Sequence, residues 1–212
     1  MRIGVIGNGR VGRTLAEGWA AVGHDVRLGS RDPGRGVAGS VPVVGLAEAA
    51  ESAEVVVNAT PGAHSVSLLG AEPAGWLDGT VLLDVSNADD GAGALVYPDG
   101  SLAERLQAAF PAARVVKSLS TFSRTVMVDP GILPKPTTVF LSGDDPEAKR
   151  VVATLLEDLG WAPEQLLDLG GLLTARAVEH MIGMYYAIRD AVGTRDFNVA
   201  VVWNRRWEKE ES

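Results

Sequence analysis

No cysteine occurs anywhere in the 212 residues, which removes disulfides, thiolate nucleophiles and cysteine-ligated metals from the list of roles. Histidine is nearly as scarce. His24, His64 and His180 are scattered without the spacing of a ligand set, so no metal site is expected. No apolar run approaches the roughly 18 residues that cross a bilayer, and no membrane association is expected. The chain opens straight into an apolar stretch, with no charged leader and cleavage site, which points to the cytoplasm. Positive charge is in deficit too: 19 Lys and Arg face 27 Asp and Glu, for a net charge of −8. General nucleic-acid binding, which rests on a basic face, is therefore excluded. A catalytic constellation is also missing, since no acid pair or Ser-His-Asp arrangement stands out.

What is present begins at residue 3. An apolar run, Ile3 to Ile6, leads into Gly7-Asn8-Gly9-Arg10-Val11-Gly12. Three glycines at this spacing let a strand turn tightly into a helix, let backbone amides approach a pyrophosphate, and let helix pack on strand. The pattern alone is weak, but its flanks agree with it. Val11, Leu15, Trp19 and Val22 mark one face of an amphipathic helix that Gly23 ends, and Asp25 to Leu28 supply a second strand. The whole is a βαβ unit suited to a dinucleotide.

The dinucleotide is chosen at the end of that second strand. An NAD site places Asp or Glu about 20 residues past the glycines, on the ribose 2′-OH. Here Gly29-Ser30-Arg31 stands there, and a hydroxyl beside a guanidinium suits a 2′-phosphate. Arg35 adds a further cation nearby. The reading favours NADP; the alternative is that Arg31 is solvated and that Asp32 is the ribose-binding acid. Arg10, Arg13, Arg31 and Arg35 gather around the proposed phosphate site in an otherwise acidic chain.

Further strands are read at 41–44, 54–59, 80–85, 114–119, 137–142 and 165–169, and helices at 46–53, 102–110, 146–159 and 173–191. This is an α/β pattern: a Rossmann-like, doubly wound, mainly parallel sheet with a small C-terminal helical extension. Residues 1–203 are read as one domain and 204–212 as a charged, frayed tail. In such sheets the carboxyl ends of strands line the ligand crevice, so Thr60-Pro61-Gly62 and the loop from Ser86 to Asp90 should face the cofactor. Lys117 lies inside a strand and reads more as an anchor than as a base. His64 is open between a neighbour of the nicotinamide and a surface or helix-capping residue. Phe122 is open between a substrate-site wall and packing, whereas Trp19 and Trp76 read as packing.

With these segments placed, the chain resembles the NADP oxidoreductases that use the deazaflavin coenzyme F420. The likeness rests on Gly-Asn-Gly-Arg-Val-Gly at 7–12, Gly-Ser-Arg at 29–31, Thr60-Pro61 with His64, Val116-Lys117 with Leu119 and Thr121, Gly143-Asp144-Asp145, and Gly170, Leu172, Ala175 and Arg176. The resemblance implies that Asn8, Gly9, Arg10 and Val11 bind NADP through their backbone, and that Ser30 and Arg31 take the 2′-phosphate, with Arg35 beside them. It sets Thr60, His64 and Asn87 on the nicotinamide side and Ser120, Thr121 and Phe122 toward the co-substrate, coenzyme F420. Ser120 departs from many relatives, which carry Asn or His there. Two other readings stay open: an NADPH-dependent reductase of a flavin, imine or small carbonyl compound, and a non-enzymatic NADPH-binding regulator. A homodimer is expected, because the terminal helix and the strand-like Phe197 to Val202 look like packing surface.

Overall fold

The computed structural model describes residues 1–35 and 39–204. The Arg35 side chain and the tail from residue 205 on lie outside the described residues. The elements alternate along the chain as β1 (Arg2–Ile6), α1 (Arg10–Ala21), β2 (Asp25–Gly29), β3 (Val43–Val44), α2 (Leu46–Ala50), β4 (Val55–Asn58), α3 (Gly62–Leu69), β5 (Val81–Asp84), α4 (Leu102–Ala109) and β6 (Arg114–Lys117). Then come α5 (Arg124–Val128), β7 (Val139–Leu141), α6 (Pro146–Asp158), β8 (Leu166–Asp168), α7 (Ala175–His180) and α8 (Ile182–Val192).

Six strands form one parallel sheet in the order β3-β2-β1-β4-β5-β6. The strand order reverses between β1 and β4, and in a doubly wound sheet that reversal opens the ligand crevice at the carboxyl ends of the strands. β7 and β8 make a separate parallel pair, tied to β6 by an antiparallel bridge between Lys117 and Ser142.

Period-two alternation splits the sheet's side chains between two cores. Ile3, Val5, Val55, Val57, Val81, Leu83 and Val116 point into one, shared with Trp19 of α1 and with α6. Ile6, Val56, Leu82 and Val115 point into the other, shared with α2 and α4. Each fully buried Val, Leu or Ile contributes about 1.5–3 kcal/mol. The two largest buried side chains also satisfy their indole N–H groups: Trp19 donates to the Leu155 carbonyl at 2.9 Å and Trp161 to Met127 at 3.0 Å.

The structure departs from the sequence reading in five places. α3 and α5 form in stretches to which the sequence reading gives no element; both are short. The expected helix at 46–53 stops at Ala50, because Ser52 takes a positive φ of 63°. The single terminal helix is two, α7 and α8, meeting at Met181. Phe197 to Val202 is not a strand; it lies against Thr137 and Thr138, just ahead of β7, where Thr138 N donates to the Val199 carbonyl at 2.9 Å and Asn198 Nδ2 to the Thr138 carbonyl at 3.0 Å.

Candidate active site

The first cavity, about 570 Å³, sits on the glycine turn. Gly7 has a φ of 121°, and a Cβ there would stand 2.5 Å from the Ala59 carbonyl oxygen. A Cβ on Gly12 would lie 1.8 Å from the Gly7 carbonyl oxygen, so this glycine seats α1 against the turn. Gly9 differs: a Cβ there would meet nothing within 4 Å, which leaves bare backbone facing the cavity. No side chain caps α1. Its first-turn amides and positive dipole end are thus directed at whatever anion the cavity holds.

The same cavity runs to the end of β2, where Ser30, Arg31 and Asp32 line it with Arg10. Ser30 is fixed by its backbone N donating to the Val44 carbonyl at 2.9 Å, while its Oγ accepts from the Asp32 N–H at 3.1 Å. The Ser30 hydroxyl proton is still available to an anion. An uncapped helix terminus, a bare glycine backbone and two guanidinium groups form a donor set that fits a dinucleotide with an added phosphate.

A buried polar cluster floors the crevice. Asn58 Oδ1 accepts from Thr60 Oγ1 at 2.7 Å, and Asn58 Nδ2 donates to Asp84 Oδ1 at 2.8 Å. Ser86 Oγ donates to the Thr60 carbonyl at 2.7 Å. These bonds hold the loops after β4 and β5 in register.

The second cavity, about 280 Å³, shares Val11, Ala59, Thr60 and Pro61 with the first. Its remaining walls come from three distant stretches: Val85 to Asp89, Ser120 to Met127, and Ile182 to Tyr186. Asn87 Nδ2 donates to the Ser120 carbonyl in a short contact, which orients the amide and leaves Asn87 Oδ1 buried without a partner. Ser120 Oγ is likewise buried and unpartnered. Leu119, just before it, has a φ of 59°, a conformation rare for a branched side chain. Tyr185 stacks on Phe197 with ring centroids 5.1 Å apart, and Tyr186 donates to Asp89 Oδ1 at 3.4 Å. Burial raises both phenols above the ordinary tyrosine value, and Asp89 adds to the effect at Tyr186. Both stay protonated through the neutral range.

Gly7, Asn8, Gly9, Arg10, Val11, Ser30, Arg31, Thr60 and Pro61 line the first cavity, and Asn87, Ser120 and Phe122 the second. Gly12 supports the turn without lining it. Two expected residues are not brought in. His64 is exposed on α3 and lines neither cavity, and as the third residue of the helix it does not cap it. Thr121 is buried and also lines neither. Phe122 does both things its reading left open: it lines the second cavity and packs on Trp161 at 5.2 Å. Tyr185, Tyr186, Ile182 and Met127 also line the second cavity and stand outside the sequence reading; for the two tyrosines, their adjacency on a helix without other aromatics is a hint, and for Ile182 and Met127 there is none. Among the described residues no group of His, Asp or Glu could hold a metal ion, and no helix is long and apolar enough to cross a membrane.

Comparison with known proteins agrees with this geometry. The sequence profile of the family described as "NADP oxidoreductase coenzyme F420-dependent" matches residues 2–88. A crystal structure assigned as an F420-dependent NADP reductase, from Arthrobacter sp. FB24, is 38% identical, with a TM-score of 0.90 over 96% of this chain and 100% of that one. The F420-dependent NADP reductase of Methanothermobacter marburgensis is 29% identical over 84% of this chain and 88% of its own length. The metalloreductase STEAP3 of Rattus norvegicus is 35% identical over 84% of this chain, which spans 36% of that relative's length. By these matches, the chain belongs to the coenzyme F420-dependent NADP oxidoreductases and is an NADP-dependent oxidoreductase.

Proposed function

We propose that this protein transfers hydride between NADP(H) in the first cavity and coenzyme F420 in the second. The observation that carries the reading is the junction of the two cavities at Val11, Thr60 and Pro61, which sets a dinucleotide site against a second pocket across one shared wall. NADPH, when bound, supplies the hydride. The chain's own work is to hold and orient: α1 amides on the pyrophosphate, Ser30 and Arg31 on the 2′-phosphate, Thr60 and Asn87 near the nicotinamide. On the acceptor side, Ser120 Oγ and Asn87 Oδ1 offer a hydroxyl and an amide oxygen to the polar edge of a flat ring system, beside Phe122, Tyr185 and Tyr186.

Transfer between two rings needs no side-chain acid or base. The cavities fit that economy: neither is lined by histidine or lysine, and both tyrosines are held protonated. Oxidation of an alcohol requires a base at the hydroxyl, and the carboxylate on the second cavity, Asp89, already accepts from Tyr186.

Mixing the purified protein with NADPH and oxidised F420 tests the reading, with the deazaflavin's visible absorbance expected to fall at a rate set by enzyme concentration. The likeness to a metalloreductase favours one second reading, an NADPH-dependent reductase of an acceptor other than F420. NADPH oxidation by flavin, imine or small carbonyl without F420 turnover supports that reading. Tight NADPH binding with no turnover supports a regulator. We further propose a homodimer, since Val202 and Trp203 are exposed at 91% and 55%; light scattering on the eluted protein reads the mass.

A further inference from the structure

A fully buried ion pair, Lys117 with Asp84, lies outside both cavities. Lys117, at the end of β6, is 0% exposed. Its Nζ donates to Asp84 Oδ2 at 2.8 Å, pairs with Glu179 Oε1 at 3.0 Å and donates in a short contact to the Ser86 carbonyl. All three N–H groups of the ammonium are thereby used. Glu179 is satisfied in turn: its carboxylate accepts from the Leu102 and Ala103 amides at 2.8 and 3.2 Å, at the N-terminus of α4. Burial alone would push the lysine down, yet Asp84 and Glu179 carry it above the ordinary value, so the group is charged.

A buried ion cluster is a poor way to gain stability, because apolar side chains of similar volume serve as well or better. Its connections here point to another use. Ser86 lines the second cavity. Asp84 holds Asn58, which holds Thr60, on the wall that the two cavities share. Glu179 sits on α7, three residues before Ile182, where α8 begins to supply Ile182, Tyr185 and Tyr186 to the same cavity. One ammonium therefore bonds the floor of the second cavity and the base of its wall.

We propose that Lys117 is the positioning residue of the acceptor site: through Ser86 and Glu179 it sets α7–α8 against the loops after β4 and β5, and so fixes the width of the second cavity. This rests on the reading of that cavity as the acceptor site. It is tested with Lys117→Met, which keeps length and removes the charge, and Glu179→Gln, which keeps shape and one acceptor oxygen. The KM for F420 is expected to rise at least about tenfold in Lys117→Met and less in Glu179→Gln, with the Kd for NADPH changed less than about threefold. Hydrogen exchange gives a readout that does not depend on the acceptor: amides of α7–α8 exchange at least about tenfold faster, with α1 unchanged.

An unchanged F420 KM, with kcat scaled only by the folded fraction, overturns the proposal, as does equal weakening of NADPH and F420. Exchange accelerated uniformly, or not at all, in α7–α8 also overturns it. Should Lys117→Met fail to fold, Glu179→Gln decides by the same criteria. Absence of F420 turnover in the wild type sinks the reading of the acceptor, while the exchange result still decides the role of Lys117.

Discussion

The two cavities share a wall but are built in opposite ways. The first draws all of its walls from residues 7–68, and its chemistry is mostly backbone: a glycine turn, an uncapped helix and the end of the neighbouring strand. The second takes its walls from segments near 60, 87, 122 and 184, and its chemistry is in side chains. A site built from local backbone geometry is written in the sequence as spacing. One assembled from distant loops is not, and loop substitution can reshape it while the glycine-turn half stays the same.

The contrast is broken most severely at the turn. Gly12→Ala should raise the NADPH Kd on the order of 100-fold or more, because a Cβ 1.8 Å from the Gly7 carbonyl oxygen must push α1 off the turn. A fluorescence titration measures it; an unaltered Kd would show that the turn is looser than drawn. Arg31→Ala comes next, with the NADPH KM rising about 10–100-fold, the size of one lost charged hydrogen bond, and the NADH KM nearly unchanged. Equal effects on the two cofactors would move the ribose contact to Asp32.

At the second cavity, Tyr186→Ala should raise the F420 KM about tenfold and leave NADPH affinity alone, since Tyr186 lines only that cavity. His64→Ala should change either constant less than about twofold, because the ring is exposed and lines neither cavity. A tenfold loss would bring His64 into the site after all.

The smallest effect is in pH. A raised lysine pKa contributes stability that is complete below its ordinary value of 10.5 and is lost as pH climbs through the folded value. The Tm difference between wild type and Lys117→Met should therefore be flat between about pH 7 and 9 and narrow only above about pH 10.5. A difference that already shrinks below about pH 9 would contradict a charged Lys117.

Legibility followed the same division. The β1–α1–β2 unit and Ser30 and Arg31 could be read directly, because φ, close approach and charge leave residue types at fixed spacing. α3 and α5, at eight and five residues, were too short to show a period. Tyr185 and Tyr186 could not be placed, since nothing local says that α8 folds back over the β5 and β6 loops. Lys117 could be read as an anchor from its position inside a strand, but not what it anchors: Asp84 and Glu179 are 33 and 62 residues away in the sequence. His64 follows a strand end, which suggests the crevice, but the helix that begins at Gly62 leaves it exposed.

The most direct test of two sites sharing one wall is isotopic. NADPH carrying deuterium at the transferable position of nicotinamide C4 is mixed with the enzyme and oxidised F420 in ordinary water, and the reduced deazaflavin is analysed by mass spectrometry and NMR. Direct ring-to-ring transfer predicts the deuterium on the acceptor, on one face, with none lost to solvent. Label washed into water, or no reduction of F420 at all, would contradict it.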